Sequence, residues 1–295
     1  KTFKEGEELI LNQLRQYNVK VINTIKTDDP AGLETIYSVD GDALFIKEIL
    51  IMIEEGVSIG RLFDIDVLDL NLNHISRKEL GKEKRKCLLC NKDAFICSRS
   101  RAHSAEELLH EITNIMEKYF NDKYADTISS YALRALISEV AVTPKPGLVD
   151  RNDTGSHKDM DIFTFIKSSS VLTPFFRQFV LKGIESYNKP LNKLLSSIRY
   201  IGIRAEETMY KATKGVNTHK GIIFSLGIIC SGLGYLYKNE EPVIKIFDIC
   251  STISKDIINE LYISDKDILS NGEFEFKRYK SHGIRGEASK GFPSV

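Results

Sequence analysis

Apolar positions change their spacing along the chain. In residues 7–16, Leu9, Ile10 and Leu14 recur at helical intervals and predict a helix. The β-branched run in residues 19–25 predicts a strand, closed by a turn through Asp28, Asp29, Pro30 and Gly32. Residues 43–54 return to helical spacing. Residues 60–70 alternate, with Leu62, Phe63, Ile65, Val67 and Leu68 apolar and Asp64, Asp66 and Asp69 between them. On a strand, Asp64 and Asp66 would share one face. Ser104 with Glu107 three residues on is a capping box, opening a helix through Leu108, Leu109, Ile112, Ile115 and Met116.

Beyond about residue 121 the spacing is helical nearly throughout. Helices are expected over 124–141, from Asp161 onward, and over 191–213, 222–237 and 243–262, with Asp161 as a cap and Pro174 as a kink. In the first of these, Ile128, Ala132, Ala135 and Glu139 follow one stripe, which points Glu139 toward the buried side. A structural ion pair with Lys145 or Arg151 is the preferred reading, ahead of a base of raised pKa. Ser168, Ser169 and Ser170 either pack or turn their hydroxyls toward a ligand, and packing is preferred. The expected architecture is an α/β (α+β) N-terminal domain, residues 1–121, followed by an all-α helical domain, residues 122–295.

Between two of these helices lie nineteen residues, 143–161, rich in polar groups: Lys145, Asp150, Arg151, His157, Lys158, Asp159 and Asp161. A second polar stretch follows at Gly215, Asn217, Thr218, His219, Lys220 and Gly221. Polar loops held by apolar helices are where function concentrates. The two loops are expected to face each other across a nucleotide site. Asn217 is a candidate N-cap, and the free N–H groups of a helix start, with Lys220 beside them, suit a phosphate. For His219 the anchoring role is preferred over that of proton donor.

Composition narrows the class. Lys and Arg balance Asp and Glu at 41 each, so no basic field argues for nucleic acid or an anionic membrane. Five cysteines and no signal-peptide pattern point to a reducing, cytoplasmic setting. The apolar run 222–236 is short for a bilayer and is read as a buried helix. Asp64 and Asp66 suit Mg²⁺ bound to a triphosphate, although the solvated face of an edge strand is the commoner meaning of such a pair. Cys87, Cys90, Cys97 and His103 offer four zinc ligands, but the loop is short and has no second close pair, so separate reduced thiols are preferred. Arg99 and Arg101 either clamp phosphate or cover surface.

Two resemblances follow. Residues 60–67 (GRLFDIDV), Ile75-Ser76-Arg77, Leu80-Gly81, Arg85, Cys87-Leu88-Leu89-Cys90 and residues 97–104 (CSRSRAHS) resemble apo-citrate lyase phosphoribosyl-dephospho-CoA transferase. That resemblance implies transfer of a prosthetic group to a serine of the citrate lyase acyl carrier subunit, with release of pyrophosphate. It implies Mg²⁺ on Asp64 and Asp66, and phosphates on Arg61, Arg77, Arg99 and Arg101. Glu139, residues 143–150 (TPKPGLVD), Gly155, residues 157–161 (HKDMD), residues 215–221 (GVNTHKG), residues 224–227 (FSLG), residues 283–288 (GIRGEA) and Gly291-Phe292 resemble triphosphoribosyl-dephospho-CoA synthase. That implies attack of 3′-dephospho-CoA on the ribose of ATP with departure of adenine. Glu139, Asp150, His157 and His219 would be catalytic, and Asp159 and Asp161 would hold Mg²⁺. Lys145, Arg151, Lys158, Asn217, Lys220 and Arg285 would bind the nucleotides. The family's chains continue for several helices past the glycine–phenylalanine motif, so the second part is expected to be shortened. Alternatives are service to malonate decarboxylase, and a carrier-binding module joined to an inactive synthase part.

Overall fold

The computed structural model describes residues 1–30, 32–259 and 271–295; for residues 271, 272, 273 and 275 only the backbone is described. The chain divides into two compact units, Lys1–Phe120 and Asn121–Val295.

The first unit is mixed. Helix α1 (Thr2–Gln16) leads into strands β1 (Lys20–Asp29) and β2 (Gly32–Asp40), then α2 (Ala43–Gly56). The strands pair antiparallel in register from Lys20↔Asp40 to Asp29↔Gly32, with one irregularity between Val21 and Asn23. Among the described residues these two strands form a single two-stranded sheet. Its second strand gave no clear signal in the sequence, because only Thr35, Tyr37 and Val39 form a half-buried face, while the apolar Leu33 and Ile36 lie exposed on the same strand. Asp42 caps α2 by accepting from the Phe45 N–H at 2.9 Å. Leu14, Val19, Ile46, Ile49, Leu50, Ile53 and Val67 form the core of this unit.

Residues 60–66 are not a strand. A 3-10 turn, Ser58–Leu62, opens the segment, and its extended remainder meets no neighbouring strand before the isolated Leu68↔His74 bridge. Its carbonyls are taken by side chains instead. Arg85 donates to the carbonyls of Arg61 and Phe63 at 2.6 and 2.7 Å, and buried Lys47 donates to that of Ile65 at 2.7 Å. The alternation read from the sequence is real extension; the ladder partner is cationic side chain rather than backbone.

Helix α3 (Ala94–Ser100) precedes α4, which runs unbroken as Ala105–Ala141. The expected capping box is present: the Glu107 N–H donates to Ser104 Oγ, and the Ser104 N–H to Glu107 Oε2. Tyr119 Oη donates to Glu5 Oε1 at 2.6 Å, tying α4 to α1.

In the second unit all the described regular elements are helices. After α4 come α5 (Ile162–Glu185), α6 (Leu194–Ala212), α7 (Lys220–Lys238), α8 (Ile246–Ser254), α9 (Asn271–Tyr279) and α10 (Gly283–Ser289). The helix expected over 243–262 is a 3-10 turn, Val243–Lys245, running into α8; residues 260–262 lie outside the described residues. Helix α5 continues through Pro174 without interruption. Its Leu172, Phe176, Phe179 and Val180 pack with Met209 of α6 and Ile223 and Ile228 of α7. The backbones of α5 and α7 come so close that a Cβ on Gly183 would strike the Ser231 carbonyl, and one on Gly234 the Val180 carbonyl. Helix α7 alone among the described residues is long and apolar enough by composition to cross a membrane, and it packs into this core. Cys230 and Cys250 are buried there, and burial pushes each thiol up to about 12.

Candidate functional site

The loop between α4 and α5 is built around one carboxylate. Asp150, 4% exposed, accepts from Thr143 Oγ1 at 2.5 Å and from the backbone N–H groups of Lys145, Asn152 and Asp153 at 3.1, 2.7 and 3.0 Å. These donors, the Thr143 hydroxyl foremost, hold its carboxyl well below the usual range. The chain then doubles back. The Ser156 N–H donates to the Gly147 carbonyl, and Gly155 at φ 59° leaves no room for a Cβ against Gly147 and Leu148. Asp150 is therefore the loop's organiser. With both oxygens engaged by four donors, it is a poor base, and the expectation that it is catalytic is revised on that ground.

Asp161 is also committed. It caps α5 as expected: Oδ1 accepts from the Thr164 N–H at 2.8 Å and from Thr164 Oγ1 at 2.7 Å, and those bonds lower its pKa. His157, Lys158, Asp159 and Arg151 lie on the outer part of the loop, where His157 Nδ1 stands 3.9 Å from Asp159 Oδ1.

Glu139 is not on the buried side of α4. Ala125, Ser129, Ala132, Leu136 and Val140 make the buried stripe, one position round the helix, and Glu139 is half exposed. It forms the ion pair with Lys145 that is the preferred reading of its role: Lys145 Nζ lies 2.7 Å from Glu139 Oε1, with the lysine side chain mostly covered.

His219 belongs to the same neighbourhood. It is 1% exposed and stands edge-on to the Phe165 ring at 5.0 Å. Thr218 Oγ1 donates to Ser168 Oγ at 2.7 Å, which leaves the Ser168 hydroxyl hydrogen for His219 Nδ1, also at 2.7 Å. The proton of a neutral ring is then on Nε2, which is buried and has no hydrogen-bond partner among the described residues. Burial depresses the His219 pKa to about 4, and the Glu139 charge partly opposes this. Ser168, read from the sequence as packing, is the residue that orients the ring; nothing in its spacing distinguished it from Ser169, which donates to the Phe165 carbonyl of its own helix.

The start of α7 differs in detail from expectation. His219, not Asn217, occupies the cap position, yet Asn217 Oδ1 still accepts from the Lys220 N–H at 3.2 Å. Lys220 Nζ pairs with Glu206 Oε2 at 3.0 Å. Glu206, with Arg199 and Arg285, supplies charged walls to a cavity of about 210 Å³ whose apolar lining includes Phe179, Ile198, Phe224 and Gly227. Arg285 and the lysine's partner thus meet at one cavity.

In the first unit, Asp64 and Asp66 are strongly exposed on the extended segment, with Arg85 and His74 each 3.8 Å away. Two of the four arginines expected on phosphates have other duties. Arg77 pairs with Glu54 and Glu55 at 2.5 and 2.6 Å, and Arg61 donates to the carbonyls of Lys86 and Cys87. Arg99 lies over the Phe95 ring at 4.7 Å, and Arg101 ends α3 in a left-handed conformation.

Residues 125–295 match the model of the ATP:dephospho-CoA triphosphoribosyl transferase family. The chain belongs to this family. Ahead of the triphosphoribosyl transferase region, residues 1–119 match the model of apo-citrate lyase phosphoribosyl-dephospho-CoA transferase. Protein CitXG of Haemophilus influenzae is 36% identical over 299 residues, covering 98% of this chain and 64% of the relative. Protein CitXG of Leuconostoc mesenteroides subsp. cremoris is 37% identical, covering 98% of this chain and 65% of the relative. The chain thus spans just under two thirds of the length of these relatives. The 2-(5″-triphosphoribosyl)-3′-dephosphocoenzyme-A synthase of Haemophilus ducreyi is 41% identical over 224 residues, covering 70% of this chain and 68% of the relative.

Proposed function

We propose that the chain carries two consecutive transferase activities. The second unit joins the ribose of ATP to 3′-dephospho-CoA and releases adenine. The first unit passes the resulting phosphoribosyl-dephospho-CoA group to a serine of the citrate lyase acyl carrier subunit and releases pyrophosphate. The succession of two family matches on one chain, residues 1–119 and 125–295, carries this reading. The citrate-side match of the first region favours citrate lyase over malonate decarboxylase.

In the second unit, Glu139 is the base for the attacking hydroxyl, since Asp150 is filled with donors and Glu139 keeps an oxygen beyond the Lys145 pair. Lys145, Lys220 and Arg285 hold phosphate charge. His219 is a positioning residue: through Ser168 it fixes the start of α7 against α5. Mg²⁺ fits the exposed carboxylates, a hard ion being bound by one or two of them together with phosphate oxygens. Asp159 would meet it in the second unit, with Asp161 reduced to its uncapped oxygen, and Asp64 and Asp66 would do so in the first. The ion would supply charge neutralisation at the phosphates. Of the arginines, Arg99 and Arg101 are left for phosphate.

The test incubates the chain with ATP, 3′-dephospho-CoA and apo-carrier subunit. The expected result is adenine release and a carrier mass increased by one phosphoribosyl-dephospho-CoA group. Unmodified carrier with no adenine would refute the proposal.

A further inference from the structure

Cys87, Cys90, Cys97 and His103 lie far apart in kind from the phosphate chemistry, and the sequence favoured reading the thiols as separate. The fold brings them together. Their four ligand atoms all lie within 4.8 Å of one another. Cys90 Sγ is 3.5 Å from Cys97 Sγ and 3.4 Å from His103 Nε2. In a tetrahedral zinc site, bonds of about 2.3 Å to sulfur and about 2.0 Å to nitrogen put ligand atoms about 3.8 Å apart for two sulfurs and about 3.5 Å apart for sulfur and nitrogen. A disulfide would require about 2.05 Å. The separations fit a shared ion and not a covalent bond.

We propose that Cys87, Cys90, Cys97 and His103 form a closed Cys₃His zinc site. The surrounding backbone holds it in place. A Lys86↔Asp93 bridge and a Cys87 N–H to Lys92 carbonyl bond fold the turn that carries Cys87 and Cys90. Asp93 caps α3 by accepting from the Phe95 N–H, which sets Cys97. The Ser104–Glu107 capping box begins directly after His103. Four protein ligands leave no open position, so the ion is structural rather than catalytic. What it stabilises is legible next door. Arg61 donates to the Cys87 carbonyl and Arg85 to the carbonyls of Arg61 and Phe63, so the metal turn anchors the extended segment bearing Asp64 and Asp66.

The test is metal analysis of the untagged full chain, purified without chelator, combined with thiol counting. About one zinc per chain is expected, falling below about half in Cys97→Ala and in His103→Ala but not in Cys250→Ala, whose thiol lies outside the cluster. Modification of the cluster thiols should release the zinc stoichiometrically. Cobalt added to metal-stripped wild-type chain should give the visible absorption of a tetrahedral thiolate site, a readout that does not depend on any variant folding. Metal-free protein with Cys87, Cys90 and Cys97 all reactive, iron in place of zinc, or two of these thiols missing from the count as a disulfide would each overturn the proposal.

Discussion

His219 couples the site to acidity. Its folded-state pKa of about 4 lies below the unfolded value of 6.5. Between those values the unfolded chain binds more protons than the folded one, so stability falls as pH drops through this window. By linkage the loss approaches about 3 kcal/mol below pH 4. Urea denaturation of wild-type and His219→Gln chains across pH 4–7 should show a weaker pH dependence in the variant. Asp150 makes a different statement. Asp150→Asn replaces one carboxylate oxygen with an amide donor, which leaves two of its four donors without an acceptor, so the 143–161 loop should become the preferred site of limited proteolysis. If Asp150 were only a base, activity would fall with the cleavage pattern unchanged. These two residues mark the limit of what the sequence disclosed. It placed Asp150 and His219 in important loops, because glycines, prolines and charges clustered there. It could not tell a filled carboxylate from a free one, since that depends on where four donors point. Glu139 was misplaced for a related reason: a helical stripe read from small residues is uncertain by one position, and one position turns a buried carboxylate into a half-exposed one.

Among the elements, α5 and α7 carry the strictest constraint. Gly183→Ala and Gly234→Ala place a methyl group against a backbone carbonyl of the facing helix. Each should destabilise by at least about 1–3 kcal/mol, as overpacking does, and thermal denaturation would read it. Gly221→Ala is the matched control. It lies in the first turn of α7 with open space around its Cβ, so helix propensity favours alanine there and stability should hold or rise by up to about 1 kcal/mol. Helical elements were legible because burial imposed a period on them. The hairpin's second strand was not, because its half-buried face is carried by Thr35, Tyr37 and Val39 while Ile36 is exposed. The extension of the 61–66 segment was legible but its partners were not, because a carbonyl row held by Lys47 and Arg85 looks in sequence like a paired strand.

For the whole molecule, the two proposed activities should be separable by substitution. Asp66→Ala should abolish carrier loading while adenine release from ATP continues. Glu139→Gln should slow adenine release by roughly 100-fold or more. The Glu139→Gln chain should nevertheless load carrier when supplied with ready-made triphosphoribosyl-dephospho-CoA. Coupled adenine and carrier-mass assays distinguish these outcomes from a general loss of folding. The buried pair of thiols in the second unit adds an internal gauge. Thiolate is the reactive form, and at neutral pH Cys230 and Cys250 are almost entirely protonated as well as shielded from solvent. An alkylating reagent can reach them only when α7 and α8 part. The rate at which these two positions gain mass therefore clocks the opening of the synthase-like core, in a protein carrying no engineered label.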